Sequence, residues 1–355
     1  MIPVPMLALA VSPTDKQISK IVTLDYPTGQ NSVAIITGLG ELFLQGYNHY
    51  GECAVGETTA FYDHFAQITN INGSNNYQCL DVFVAGGAFV YNLDLPSGRR
   101  WMFTGSQAEL LGDQSTAIAS TPTELPAAYS KVTHIEHGAG SLREVRGTFG
   151  HNLWLYQFED GFWGLYINGS NSSEIMLARV AEPQLLAVSQ HKFPHFCVTD
   201  NSASYMTTDG VLHMLGSVQS INGVDTSTGP DSWVGYEVSS LTSITSGVKF
   251  LDYRLDANVC AFIVGNDSSV LSHELAEGAI WFRVGSKNYY EQGGNPPAVS
   301  RFFPGTGAHH VVDVNSGIGY GFTHSNKSGY LAYNDSYHDG YIADSGCLVT
   351  TQWGR

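Results

Sequence analysis

LFLQGYNHYGEC (residues 42–53) and WMFTGSQAELLG (residues 101–112) decide how this chain is read. Each opens on a short apolar run, reaches glycine at its fifth position and passes into a polar stretch. The step recurs along the chain, and self-similarity at a roughly fixed period must be settled before any strand is assigned. Leu42 leads to Gly46, Trp101 to Gly105, Leu212 to Gly216 and Trp281 to Gly285. Two weaker copies fill the gaps, Leu153 with Gln157 and Tyr330 with Asn334. The anchors are spaced by 59, 52, 59, 69 and 49 residues.

A glycine precedes every run: Gly40, Gly98, Gly150, Gly210, Gly278 and Gly329. Asp209-Gly210 is a strong hairpin signal, because both residues tolerate positive φ. Upstream of most turns stands another apolar strand, as in VAIIT from 33, AFVYNL from 88, ASYMT from 203, VCAFIV from 259 and GYGFT from 319. A third lies further upstream: KIVTL, DVFVAGG, VTHIEHG, LLAVS, VKFLDY and VVDVNSG. HFAQI, TELPA, EIMLARV, GYEVSS and VSRFF are candidates for a fourth strand after the polar loop. Four strands in a unit of this length make one propeller blade. A lone blade cannot bury both faces, whereas a ring of blades can. The fold expected is therefore all-β: one β-propeller over residues 1–355, with six four-stranded blades and seven as the alternative. The opening MIPVPMLALAVSP has no basic segment before its apolar run and reads as a strand, not a signal peptide. It is expected to complete the last blade and leave no open edge.

Composition agrees. Charged residues are 14% of the 355-residue chain, and Gly, Ser, Asn, Thr and Tyr supply most of its polarity. The net charge of -16 repels phosphate backbones and anionic lipid, so neither nucleic acid nor membrane is an expected partner. The five cysteines, Cys53, Cys79, Cys197, Cys260 and Cys347, are odd in number and lack metal-ligand spacing. They read as free buried thiols.

CLDVFVAGGAFVYNLDLPSGRRWMFTGSQAELLGD with TPTELP, and AIITGLGELFLQGYNHYGECAVGET, resemble repeats of the regulator of chromosome condensation family. In the second stretch Phe43, Gly46, Asn48, Gly51 and Gly56 fall on the family motif, with Phe in place of Trp. The resemblance implies a β-propeller, most often seven-bladed, in which the motif residues are structural. Gly46, Gly105, Gly216 and Gly285 would make tight turns, and Trp101 and Trp281 would pack between blades. The founding member promotes nucleotide exchange on a small GTPase and touches chromatin. The loops that carry its exchange activity find no match here.

Signatures of catalysis are missing from the sequence. It contains no G-x-S-x-G, P-loop or H-E-x-x-H. Pro194 separates His191 from His195, and His309-His310 opens a strand in which neighbours point to opposite faces. His134 and His137 also differ in parity. No catalytic residue, metal or cofactor is expected. Binding falls instead to loop aromatics: Tyr47, Tyr50, Phe162, Trp163, Trp233, Tyr289 and Tyr290. Rings beside Asn, Ser and Gly make adaptable contact surfaces, although each could equally pack between blades.

The low lysine count (seven) and the strand-rich polar composition are similar to those of tailed-bacteriophage virion proteins. That likeness implies a non-enzymatic tail, fibre or host-contact component, with neighbouring virion proteins or a surface receptor or glycan as partners. The alternative is an intracellular regulator docking on a partner such as a small GTPase. A third reading is a glycan-active enzyme with an axial pocket, which would need acidic residues from several blades to converge.

Overall fold

The computed structural model describes residues 18–237 except 26–30, 69–70, 72–75, 113–116, 149, 170–174, 177–179, 199–201, 217–227 and 230; beyond 237 it describes the strands between Lys249 and Thr351. The described strands form seven antiparallel sheets. The first holds β1 (Ile18–Asp25), β2 (Asn31–Thr37), β3 (Leu42–Asn48) and β4 (Thr59–Gln67). The second holds β5 (Gln78–Ala85), β6 (Ala88–Leu95), β7 (Gly98–Ser106) and β8 (Ile118–Glu124). The third has five strands: β9 (Lys131–His134), β10 (Gly138–Gly147), β11 (His151–Phe158), β12 (Trp163–Gly169) and β13 (Val180–Ser189). The fourth holds β14 (His195–Val198), β15 (Ser202–Met206), β16 (Leu212–Gly216) and β17 (Val234–Tyr236). Then come β18 (Lys249–Asp256), β19 (Val259–Gly265) and β20 (Ala279–Val284) in one sheet. The sixth holds β21 (Val299–Phe302), β22 (Ala308–Asp313), β23 (Ile318–Thr323) and β24 (Tyr333–Asn334). The seventh is the hairpin β25 (Asp339–Ile342) and β26 (Leu348–Thr351). Two short helices, α1 (Gln107–Leu111) and α2 (Ala127–Ser130), sit in connections.

The sheets repeat because their turns repeat. In three of them the same closed loop joins the second and third strands, counted in the third sheet from β10 because β9 is an addition to the unit. Thr37 N donates to Glu41 O at 3.0 Å and Gly40 N to Thr37 O at 2.9 Å. Phe158 with Phe162 and Gly161, and Thr207 with Val211 and Gly210, repeat that pattern. Gly40, Gly161 and Gly210 have φ of 77°, 92° and 82°, the left-handed conformation this loop demands at its last position. At the other end of the sheet, the first residues of the second strand lie opposite the anchor glycine. Ser32 pairs with Gly46, Ala88 with Gly105, His151 with Gly169 and Ser202 with Gly216. A Cβ on Gly105 would stand 2.5 Å from Gly87 O, and one on Gly169 would stand 2.3 Å from Gly150 O. Only glycine lets the third strand pass this close to the preceding turn.

That register corrects the sequence alignment of the third unit. Leu153 and Gln157 lie on β11, a second strand, and the third-strand anchor is Leu165 with Gly169 on β12. LLAVS, expected to open the fourth unit, is the outer strand of the third sheet, and β14 opens the fourth. VTHIEHG forms the extra β9 hairpin, and VSRFF pairs with β22 as the first strand of the sixth sheet. Among the described strands, the C-terminal hairpin β25–β26 pairs with no other strand. Among the described residues, the third sheet has five strands where four were expected. The expected closure by the N-terminal strand lies outside the described residues.

Side chains alternate between two seams. On β11, Trp154 and Tyr156 join Phe83, Val90 and Phe103 of the second sheet, while Leu153 and Leu155 join Phe196, Val198 and Leu215 of the fourth. On β6, Phe89, Tyr91 and Leu93 face the first sheet and Val90 faces the third. With period two, a strand buried on both faces reads as a continuous apolar run, as β11 does. First strands of consecutive sheets lie side by side from β1 through β5, β10, β14 and β18 to β21. This is a propeller-like arrangement. Among the described residues no helix is long and apolar enough to cross a membrane.

Candidate functional site

The loop that follows β3 shows what the motif residues do. Asn48, buried, donates from Nδ2 to Glu57 O at 3.0 Å and accepts from Cys53 N at 2.8 Å, tying the loop to the strand end. Gly51 lies against Ser120, Gly56 N donates to Ser120 O at 2.8 Å, and Thr104 Oγ1 donates to Glu52 O at 3.0 Å. The first sheet's loop is thus docked on the second sheet. The next seam repeats the device with α1. Ser106 caps it, Gly112 ends it in the left-handed conformation, and its carbonyls accept from two buried asparagines. Asn152 Nδ2 reaches Glu109 O and Leu110 O at 3.0 and 3.1 Å. Asn168 Nδ2 reaches Leu110 O at 3.2 Å, and its Oδ1 accepts from Trp154 Nε1 at 2.6 Å.

The five predicted binding aromatics that fall among the described residues lie at separate places on the sheets. Tyr47 and Tyr50 sit half-buried at the anchor-glycine end, packed on the first seam and edge-on at 6.4 Å. Phe162 and Trp163 lie at the opposite, turn end of the third sheet, against different seams. Trp233 packs beside Tyr205 at 5.2 Å in the seam of the third and fourth sheets. Trp101, the second-sheet anchor, lies 5.9 Å from Phe83. Tyr289, Tyr290 and Gly285 lie outside the described residues, and Trp281 on β20 stands in register with Phe262 on β19.

Two constellations escaped the sequence reading. The first is a set of bulges on the first strands. An extra residue interrupts the ladder at Ser19, Leu80, Arg143 and Leu251, and a charged residue follows each one: Lys20, Asp81, Glu144 and Asp252. A bulge re-aims the side chains beside it. Lys20 forms an ion pair with Asp81 across the first seam, and its ammonium lies 4.2 Å from the Phe83 ring centre. Glu144 is held by Arg146 at 2.6 Å and Lys192 at 3.1 Å. Burial alone would raise the Glu144 carboxyl, but the two cations outweigh it and hold the pKa at about 2. Arg146 also donates to Phe196 O at 3.0 Å and lies 4.7 Å over the Phe196 ring.

The second is a ring cluster at the turn end of the third sheet. His137 stacks on Phe162 at 4.3 Å and on His134 at 4.8 Å, with Phe158 beneath at 5.5 Å. His137 Nδ1 lies 2.8 Å from Asp160 Oδ2, and this hydrogen bond draws the Asp160 carboxyl below its usual range. Parity placed His134 and His137 on opposite sides of a strand. The tight turn between β9 and β10 reverses the chain there and brings the two rings together. Among the described residues no group of three or more His, Cys, Asp or Glu is arranged to hold a metal ion.

No family model matches the sequence, and no characterised protein matches it by sequence. Solved structures do match in three dimensions. Prp20p of Saccharomyces cerevisiae, described with its binding to Gsp1p and histones, superposes with a TM-score of 0.60 at 11% identity, over 91% of this chain and 79% of its own. Yeast RCC1 (Prp20) bound to Kap60 superposes at 0.56, also at 11% identity, over 86% of this chain and 70% of its own. The chain therefore has an RCC1-like propeller fold.

Proposed function

We propose that this chain is a non-enzymatic propeller scaffold that docks on a protein partner, an intracellular regulator in the manner of the alternative reading above. The observation that carries the proposal is the fold likeness to Prp20p across nearly the whole chain. Prp20p is described with the partners Gsp1p and histones, and the second structure holds it with Kap60. Fold alone does not assign function, so the local chemistry must agree. The motif asparagines and glycines serve the seams, and the ion pairs of Lys20 with Asp81 and of Glu144 with Arg146 and Lys192 form at them. What remains for function is the surface at the sheet ends, which suits contact with another protein. The seven sheets are taken as seven blades of one ring. The virion reading of the composition gains no support from the fold comparisons.

The test is reconstitution. The purified full chain is titrated against a panel of small GTPases and basic proteins by sedimentation velocity, alongside a glycan-hydrolysis assay. A one-to-one complex with a member of the panel supports the reading. Turnover of a glycan with no complex formed would replace it with the enzymatic one.

A further inference from the structure

The most exposed large apolar side chain among the described residues is Ile135, at 97%. It stands at the tip of the β9–β10 hairpin, the element that makes the third sheet one strand wider than its neighbours. An exposed isoleucine on a frayed loop would mean little, but this tip is held. Glu136 N donates to His134 Nδ1 at 3.2 Å, and Glu159 N donates to Ala139 O at 3.0 Å, tying the hairpin to the β11–β12 turn. Beneath the tip lies the ring stack of His134, His137 and Phe162. A rigid apolar knob presented this way loses little entropy on binding.

Two more exposed apolar residues belong to the same end of the sheets. Leu39, 58% exposed, is in the β2–β3 turn, the counterpart of the β11–β12 turn. Cys79 N donates to Gly40 O at 2.7 Å, which joins that turn to the start of β5, where Leu80 protrudes at 37% on its bulge. The charge around the knob is acidic: Glu136, Glu159 and Asp160 are all exposed beside it. The basic residues at this end are balanced or distant: Lys20 pairs with Asp81 and Arg100 with Glu124, Arg99 stands opposite Asp94, and Lys131, Arg143 and Arg146 of the hairpin lie at and beyond the register of Ser141.

Resting on the protein-docking reading above, we infer that the turn end of the first three sheets, centred on Ile135, is the docking surface, and that it takes a protein segment combining apolar side chains with Lys or Arg. Charge selects this occupant. At -16 overall, a second copy, an anionic membrane and nucleic acid are all repelled. A basic segment is drawn in, and Ile135 supplies the apolar contact that bulk electrostatics cannot.

The test uses the full chain and three synthetic peptides of equal length, built from Leu and Lys, from Gly, Ser and Lys, or from Leu and Gln. Binding is read by fluorescence anisotropy. The Leu/Lys peptide is expected to bind about tenfold more tightly than either of the others. Ile135→Ser, at an exposed site, should keep the wild-type melting temperature and weaken that binding about tenfold. Glu136→Gln with Glu159→Gln should flatten its salt dependence. Equal binding of the Gly/Ser/Lys peptide, or unchanged binding by Ile135→Ser, overturns the proposal. So does a wild-type dimer that Ile135→Ser renders monomeric, since the surface would then belong to a second copy. A partner found by reconstitution that binds wild type and Ile135→Ser alike would keep the docking reading and remove this surface from it.

Discussion

Arg146 on β10 and His195 on β14 meet across the seam of the third and fourth sheets, with Nη1 3.2 Å from Nδ1. A guanidinium can only donate, so Nδ1 of His195 is the acceptor of this contact. Arg146 therefore spans the seam with Glu144 on one side and His195 and the Phe196 carbonyl on the other. The third sheet is joined to the fourth by this cluster as well as by apolar packing.

Acid should loosen that seam. The Glu144 carboxyl ordinarily titrates near 4.5 and is held at about 2 in the fold. A depressed folded-state value means that the stabilisation is complete above the unfolded value and is lost as pH falls from about 4.5 toward 2. The shift corresponds to roughly 3 kcal/mol. Urea unfolding at pH 7 and pH 3 should show wild type losing stability. Glu144→Gln should start lower by a similar amount and show a flatter acid limb. An identical acid limb in the two proteins would place the titrating groups elsewhere.

Two positive-φ glycines of β7 should separate steric clash from backbone strain. Gly105 and Gly98 have similar φ, 118° and 106°, but a Cβ on Gly98 meets nothing within 4 Å. Gly98→Ala should cost about 1 kcal/mol through the backbone alone. Gly105→Ala should cost about 3 kcal/mol or more, since its Cβ would meet the Gly87 carbonyl at 2.5 Å. Thermal melts of the pair measure the difference.

Asn168→Leu tests the polar clasp between the second and third sheets. The change leaves the Trp154 indole N–H without its 2.6 Å acceptor and the Leu110 carbonyl without one of its donors. A loss of about 2 to 3 kcal/mol in chemical denaturation is expected. A loss no larger than that of an exposed-site control would show the clasp to be dispensable.

Trp163 and Trp233 should behave as packing residues. Both lie against the seam of the third and fourth sheets. Replacing either with Ala should lower stability by about 2 kcal/mol. Ile135→Ser, which touches no core cluster, should leave stability unchanged within ~0.5 kcal/mol. Differential scanning fluorimetry on the three variants resolves the contrast.

Much of the architecture could be read from the amino-acid order because its causes are local. Asp209-Gly210 makes its turn through backbone conformations that only certain residues tolerate. The continuous apolar runs that begin at Leu42 and Trp101 announce strands buried on both faces. The misreading of the third unit has a physical source. On β11, HNLWLYQF is as apolar as any third strand, and only pairing with β12 shows that Gly169, not Gln157, faces the preceding turn. VSRFF told less still, since it carries no mark of which neighbour it will join.

What the residues alone determined is a chain of repeated antiparallel sheets with glycine at the tight passages. Those demands are met within a few bonds of each residue. Tertiary structure alone decided that Lys20 meets Asp81, that Arg146 meets His195, that Asn168 clasps the helix after β7, and that Ile135 stands clear of the body. These relationships join strands far apart in the sequence, and the approach of one sheet to the next creates them.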